Sequence, residues 1–424
     1  MEFISIILLV CGLIVLLLAG IPVGFALGLA GIASILTVGA QFLMQVPITL
    51  LKSLSDPVLI AIPLFVLMGE ILYQGKVGQN LFEVANAWLG RIRGGTGVSA
   101  VFAYTFFAAI VGSSMASVLT IGKVAIPAME QEGYSKRITY GLTAVGGSLG
   151  ILIPPSLPLL IYSTFTNASP NQLFIAGFLP GFMIAAMLAI WAGLAAPPHT
   201  RGAPYNLKKA VLITLKAVPD LLLPVIVLGG IYAGIYTPTE AAAIGVVYAF
   251  FITVILRRTL RLSDFPSIFV ETLKSNAMLL TIVLGALLFG SALTLIGLPQ
   301  ILAELLTDAQ LSPTSLLIIF FIIWLIMGYF LEVLSVMLIS LPIFFPIARS
   351  AGIDPVWFGI FMVICMEIAV ITPPVGMNLF AIKSLLPNES LTTITRAALP
   401  SVLILIAAIV LLWLFPEIAL YLVR

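Results

Sequence analysis

The sequence predicts an all-α, multi-pass membrane protein made of two similar halves, each interrupted by a proline-broken hairpin. Three observations predict it: the composition, a train of apolar segments, and proline marks that recur at one interval. Hydrophobic residues fill 61% of 424 positions and charged residues only 8%. A soluble domain carries about 25% charged residues, so this chain cannot build an ordinary solvated surface. Its natural solvent is a bilayer.

Each membrane crossing needs about 20 apolar residues. Apolar segments run over 3–20, 22–39, 57–73, 95–130, 139–167, 170–196, 217–233, 239–257, 274–297, 312–347, 355–386 and 398–421. Glu2 precedes the first, with no basic n-region and no small-residue cleavage site, so it reads as a retained helix and not a signal peptide. Between the third and fourth, Lys76–Arg93 sets Val77, Leu81, Val84, Ala85, Trp88 and Leu89 at helical spacing against Gln79, Asn80, Glu83 and Asn86. That pattern predicts an amphipathic arm helix lying along the membrane interface. Leu298–Ala309 reads as its counterpart in the second half.

The halves are visible in punctuation. Gly20-Ile21-Pro22 opens one apolar helix and Gly234-Ile235-Tyr236-Thr237-Pro238 another; Ile153-Pro154-Pro155 and Thr372-Pro373-Pro374 each break a long run. Pro22 to Pro238 is a shift of 216, and Pro154 to Pro373 a shift of 219. Two marks at nearly one shift predict an internal duplication, 1–205 and 206–424, with the join in 197–216. Repeats of this kind characterise secondary transporters, whose sites lie between repeats at broken helices.

Adjacent prolines remove two backbone donors and push the preceding residue out of helical geometry. In hydrocarbon such irregular backbone is tolerated only where protein or a wet cavity surrounds it. Segments 139–167 and 355–386 are too long for one straight crossing, so a re-entrant hairpin of two half-helices fits better than a kinked spanning helix. Carbonyls freed at the tip are hard oxygen ligands suited to a small cation. Whether 95–130 and 312–347 cross once or twice stays open. Arg201, Lys208, Lys209 and Lys216 share one loop and Arg257, Arg258 and Arg261 another, and the positive-inside tendency places both in the cytoplasm.

Glu70, Lys123, Glu240, Glu332, Glu367 and Lys383 lie in or at the edge of apolar segments, where charge is a functional hypothesis by default. Thr237-Pro238-Thr239-Glu240 matches a capping box with proline at the first helical position, so Thr237 and Glu240 read as a helix-start device. Glu70 and Lys383 sit within reach of water at segment ends. Glu332 and Lys123 lie deeper, in corresponding parts of the halves, and either pair with each other or line a path. The hydroxyls of Ser113, Ser114, Ser117 and Thr120 either offer oxygens to sodium or bond back to their own helix.

Several functions are excluded. Net charge is +2 with no basic cluster, so nucleic acid is not a partner. Cys11 and Cys365 stand alone in apolar runs and His199 is the single histidine. There is no zinc-type metal centre and no Ser-His hydrolase. No nucleophile–base pair supports an enzyme, and a mere scaffold leaves the two matched breaks unexplained.

The motifs together resemble the large membrane subunit of TRAP transporters, the DctM type. They are Leu54-Ser55-Asp56-Pro57 with Ala61 to Glu70, Gly112 to Ser117 with Ile126-Pro127-Ala128-Met129, and Gly150 to Ser156. Tyr236 to Ala243, Gly352 to Pro355 with Trp357-Phe358-Gly359, and Thr372 to Phe380 complete the set, in order, over residues 15 to 416. The resemblance implies an elevator-type transporter in the bacterial inner membrane, with no cofactor and driven by sodium; no Walker-type loop for ATP occurs. It implies a small membrane subunit and a periplasmic substrate-binding protein as partners, with a small organic acid as substrate. One sodium site would comprise Ser113, Ser114 and the tip at Gly150, Ile153, Pro154 and Pro155. The other would comprise Thr372, Pro373, Gly376 and the segment at Glu332. Asn378 would orient the second tip or touch substrate, and Lys123 would meet the anion. Lys123 stands where the family usually has a small residue, and Glu332 where aspartate is common. The alternative is a stand-alone sodium-coupled anion carrier.

Overall fold

The computed structural model describes residues 2–198, 206–298, 300–301, 311–373 and 376–424, and every regular element among them is helical. Seven helices among the described residues are long and apolar enough to cross a membrane. The chain opens with α1 (Glu2–Leu18) and α2 (Val23–Val38), then α3 (Gln45–Leu54) and α4 (Pro57–Gln74). Asp56 starts α4 by accepting a hydrogen bond from Val58 N at 2.8 Å, with Pro57 at the first position, where its missing N–H costs nothing. The arm helix is α5 (Val77–Leu89), shorter than the predicted 76–93; it buries Val77, Leu81, Phe82, Val84 and Ala85. α6 (Gly95–Val111) and α7 (Ser114–Gln131) follow, then α8 (Lys136–Ser148), α9 (Leu157–Thr166) and α10 (Pro170–Leu194).

The second half runs through α11 (Leu207–Tyr232), α12 (Pro238–Phe250) with a π-helical continuation to Leu256, and α13 (Phe265–Leu295). Most of the arm predicted at 298–309 lies outside the described residues. Next come α14 (Pro313–Gly328), α15 (Val333–Ser350), α16 (Pro355–Ala369), α17 (Met377–Leu385), α18 (Leu391–Leu414) and the short α19 (Glu417–Leu420).

The prolines act as their chemistry requires. Around Pro154-Pro155 the chain forms α8 of 13 residues and α9 of 10; around Thr372-Pro373 it forms α16 of 15 and α17 of 9. At 1.5 Å per residue these reach about 14 to 22 Å, short of a hydrocarbon core of about 30 Å. No half-helix spans alone. The stretches 95–130 and 312–347 are likewise not continuous: the first breaks at Gly112-Ser113, the second between Tyr329 and Glu332.

Burial separates two environments. Every residue from Ile138 to Ser163 is buried, and so is every residue from Val356 to Thr372. The first irregular tip, at 149–156, is therefore enclosed by protein, as hydrocarbon demands. α11 and α12 instead expose Leu215, Val225, Val247 and Ile255, the composition of a lipid-facing surface. α2 and α13 approach backbone to backbone: a Cβ on Gly24 would lie 2.6 Å from the Thr281 carbonyl, and one on Gly285 would lie 2.0 Å from Gly24 O. Small residues are what permit such contact between membrane helices. An ion pair ties the arm to this frame. Arg257 donates to Asp220 from Nε at 3.0 Å and Nη2 at 2.5 Å, and Asn80 Nδ2 on α5 donates to the same carboxylate at 3.0 Å.

Candidate ion and substrate site

The site is built where two broken helices meet two tips. α6 ends at Gly112, in the left-handed region at φ +64°, and Ser113 restarts the chain as N-cap of α7, accepting from Ala116 N at 3.4 Å. The first tip sits on this break. A Cβ on Gly112 would come within 2.5 Å of Pro155 O, and one on Gly150 within 2.9 Å of Ser113 O. The glycines are what let backbone oxygens gather here. Ser156 closes the tip, accepting from Leu159 N at 3.3 Å and donating to Ile151 O at 2.5 Å. Ile153 faces away, against Gly181.

The second break is capped by an acid. Glu332 accepts from Ser335 N at 3.1 Å, Ser335 Oγ at 3.0 Å and Leu334 N at 3.4 Å, so its carboxylate completes the positive end of α15. In the second tip Thr372 Oγ1 donates to Ile368 O at 2.5 Å, and Asn378 N reaches back to Val370 O at 3.1 Å. Gly376 takes φ +50° to turn the chain into α17. Pro374 lies outside the described residues.

Asn378 joins the pieces. Its Oδ1 accepts from Ser114 Oγ at 2.6 Å and its Nδ2 donates to Ala144 O at 2.8 Å. The carbonyl of Ala144 accepts only, which fixes the orientation of the amide. One buried side chain on α17 therefore holds the first break and the first hairpin together. Ser117 bonds back to Ser113 O at 2.8 Å, one of the two predicted roles, whereas Ser114 donates to Asn378 on another helix, which is neither of them.

At this junction lies a cavity of about 460 Å³, lined by Gly112, Ser113, Ser114, Glu332 and Asn378 among others. Glu70 on α4 and Lys274 with Ser275 on α13 line it as well. The volume falls within the range of small-ligand sites, about 300–1,000 Å³. Of the predicted site residues, Ser113, Ser114, Glu332 and Asn378 reach the cavity; Gly150, Ile153, Pro154, Pro155, Thr372, Pro373 and Gly376 form the tips behind it. Lys123 is exposed, two and a half turns along α7 from Ser114, and is absent from the lining. It neither faces this cavity nor occupies Glu332, whose carboxylate caps α15. The cation in the wall is Lys274, which also bonds Glu271 at 2.7 Å. Sequence reasoning missed it because a helix with lysine near its start gives no sign of which face meets a cavity.

Thr237 and Glu240 form the predicted capping box, with Thr237 N to Glu240 Oε2 at 2.8 Å and Glu240 N to Thr237 Oγ1 at 3.3 Å. They start α12, and neither lines the cavity.

Comparison with known proteins agrees with this architecture. Residues 10–418 match the family model of the tripartite ATP-independent periplasmic transporter, DctM component. The chain is 40% identical over 400 residues to the C4-dicarboxylate TRAP transporter large permease protein DctM of Pseudomonas aeruginosa, covering 93% of each chain. It is 38% identical to the DctM protein of the same description from Rhodobacter capsulatus, covering 96% of each, and 33% identical to the sialic acid TRAP transporter large permease protein SiaM of Vibrio cholerae, also covering 96% of each. Among solved structures, the Alcanivorax borkumensis YdaH transporter shares the fold at a TM-score of 0.65 and 15% identity, covering 89% of each chain. The chain is a member of the DctM family, the large permease components of tripartite ATP-independent periplasmic transporters.

Proposed function

We propose that this subunit imports a small organic acid across the bacterial inner membrane, driven by sodium, by an elevator-like movement of the two hairpins. It works with a small membrane subunit and a periplasmic binding protein that delivers the substrate. The observation that carries this reading is the junction of two broken helices with two oxygen-rich tips beneath one cavity. Ser113, Ser114 and the carbonyls of Gly150, Ile153, Pro154 and Pro155 form the first sodium site. Thr372, Pro373 and Gly376, with Glu332 nearby, form the second. Hard oxygens around freed backbone are the ligand type such ions take at discontinuous helices. The halves 1–205 and 206–424 act as repeats; the order broken helix, hairpin, long helix recurs in each.

The substrate carboxylate meets Lys274 in the cavity wall that Asn378 also lines, the role the sequence had suggested for Lys123. C4-dicarboxylates are the first candidates, because the relatives that carry that description are the more similar ones.

Uptake by proteoliposomes tests the reading. These hold the chain with the small subunit encoded beside it, with and without an inward sodium gradient and the binding protein. Succinate uptake requiring both is expected. Uptake without the binding protein points to a stand-alone carrier instead. Ser114→Ala lowers sodium dependence while membrane insertion stays intact; unchanged sodium activation removes the first site.

A further inference from the structure

Glu367 has no place in the site described above. It lies in the last turn of α16, fully buried, and neither carboxyl oxygen has a hydrogen-bond partner. Its polar neighbour is Ser148 at the end of α8, but that hydroxyl donates to Val145 O at 2.8 Å. The carboxyl thus stands between the ends of the two hairpins' longer half-helices. Three residues on, about 4.5 Å along the chain by helical rise, Val370 lines the cavity together with Ile151.

Among the described residues no charged group bonds it: on α8, Lys136 and Arg137 are exposed at the far end and Tyr140 donates to Glu130 Oε1 at 3.2 Å. α16 packs against α9, α10, α14, α15, α18, α19 and the turn at 149–151. α10, α14 and that turn carry no titratable side chain. On the others, Arg349, Arg396 and Glu417 are exposed, and Tyr162 donates to Pro355 O at the far end of α16. On α16 itself Cys365 is buried nearby, while Asp354 caps the start by accepting from Val356 N and Trp357 N. Glu332 is engaged by Ser335. An ionised carboxylate sealed away from water without a partner is prohibitively unstable and takes up a proton instead. A metal cation in this place would need a shell of several oxygens; a proton needs only one, and both oxygens of this single carboxyl stand unpartnered.

We propose that the Glu367 carboxyl is a proton-binding site beneath the cavity, occupied in this conformation and exchanging its proton with cavity water, so that proton concentration enters the transport cycle. Binding is –COO⁻ plus H⁺ giving –COOH, with cavity water as source and acceptor. At alkaline pH the proton leaves, a bare charge remains in the closed junction, and this conformation is disfavoured. Glutamine holds the neutral shape permanently. The effect on uptake rests on the transport reading above; the protonation does not.

Two measurements test it. In the infrared difference spectrum of the purified chain at neutral pH, a protonated-carboxyl C=O band should be present and lost in Glu367→Gln. A band unchanged by the substitution overturns the proposal. In proteoliposomes, sodium-driven uptake should fall toward alkaline pH by up to about tenfold per pH unit, the limit for one proton. Glu367→Gln should flatten that profile, and Glu367→Asp should keep a slope at a shifted midpoint. A flat wild-type profile, or one that Glu367→Gln leaves unaltered, overturns it. If the wild type takes up nothing at any pH while the infrared band behaves as expected, the proton site stands and the transport reading fails.

Discussion

The two hairpins share a plan, a longer half-helix, an irregular tip and a shorter half-helix, but their tips are held by different means. The first is seated by shape: Gly112 and Gly150 let backbone lie on backbone, and Ser156 caps the return helix. The second has no side-chain cap on α17 and turns on Gly376 at φ +50°. What it contributes is polar chemistry, Asn378 bonded to Ser114 and Ala144, and the unpartnered Glu367. One tip serves as a fixed seat and the other as the part that carries functional groups. Steric seating tolerates no added atom, whereas hydrogen-bonded seating fails in graded steps.

That contrast can be broken most sharply at the glycines. Gly112→Ala places a Cβ against Pro155 O on a strained backbone, and uptake should fall at least about a hundredfold, close to 3 kcal/mol. Gly376→Ala meets mainly the flexible end of Leu379, so the left-handed backbone cost of about 1–2 kcal/mol dominates and the loss should be nearer tenfold. Equal losses in the two variants would erase the distinction. Next in size is Asn378→Ala. It leaves Ser114 Oγ and Ala144 O unpaired in a buried place, at about 1–3 kcal/mol for each group left unsatisfied. The thermal midpoint should drop and the sodium concentration for half-maximal uptake should rise; a normal sodium curve would mean the bridge is dispensable. The smallest effect pairs two caps. Ser156→Ala and Thr237→Ala should each lose about 1 kcal/mol of stability in denaturant titrations. Only Ser156→Ala should alter sodium dependence, since Thr237 lies away from the cavity.

What the sequence disclosed and what it concealed divide by range. Proline and capping act on adjacent residues, so Pro154-Pro155, Thr372-Pro373 and the box at Thr237 and Glu240 were readable directly. The break at Gly112-Ser113 carried a local signal as well, a left-handed glycine followed by an N-cap serine, but the apolar run around it hid the interruption. The bond between Ser114 and Asn378 spans 264 residues, and no local pattern announces such a pairing. Lys123 and Lys274 show the limit from the other side. Each is a lysine in an apolar helix, and only packing decides which one meets the cavity. Asp220 escaped notice because its partner Arg257 lies in the loop after the π-helical turn, 37 residues along the chain.

The joint of Asp220 with Arg257 and Asn80 has a mechanical meaning. Arg257 Nη2 also holds Lys216 O at 2.8 Å, so α5 is pinned near its start to both α11 and the end of the π-helical turn. Near its other end Trp88 Nε1 donates to Thr214 Oγ1 on α11 at 2.8 Å, so α5 is fastened to α11 at both ends and works as a brace. A helix braced at two points keeps a fixed attitude to its neighbour, so the arm and α11 form one stiff pair beside the hairpins.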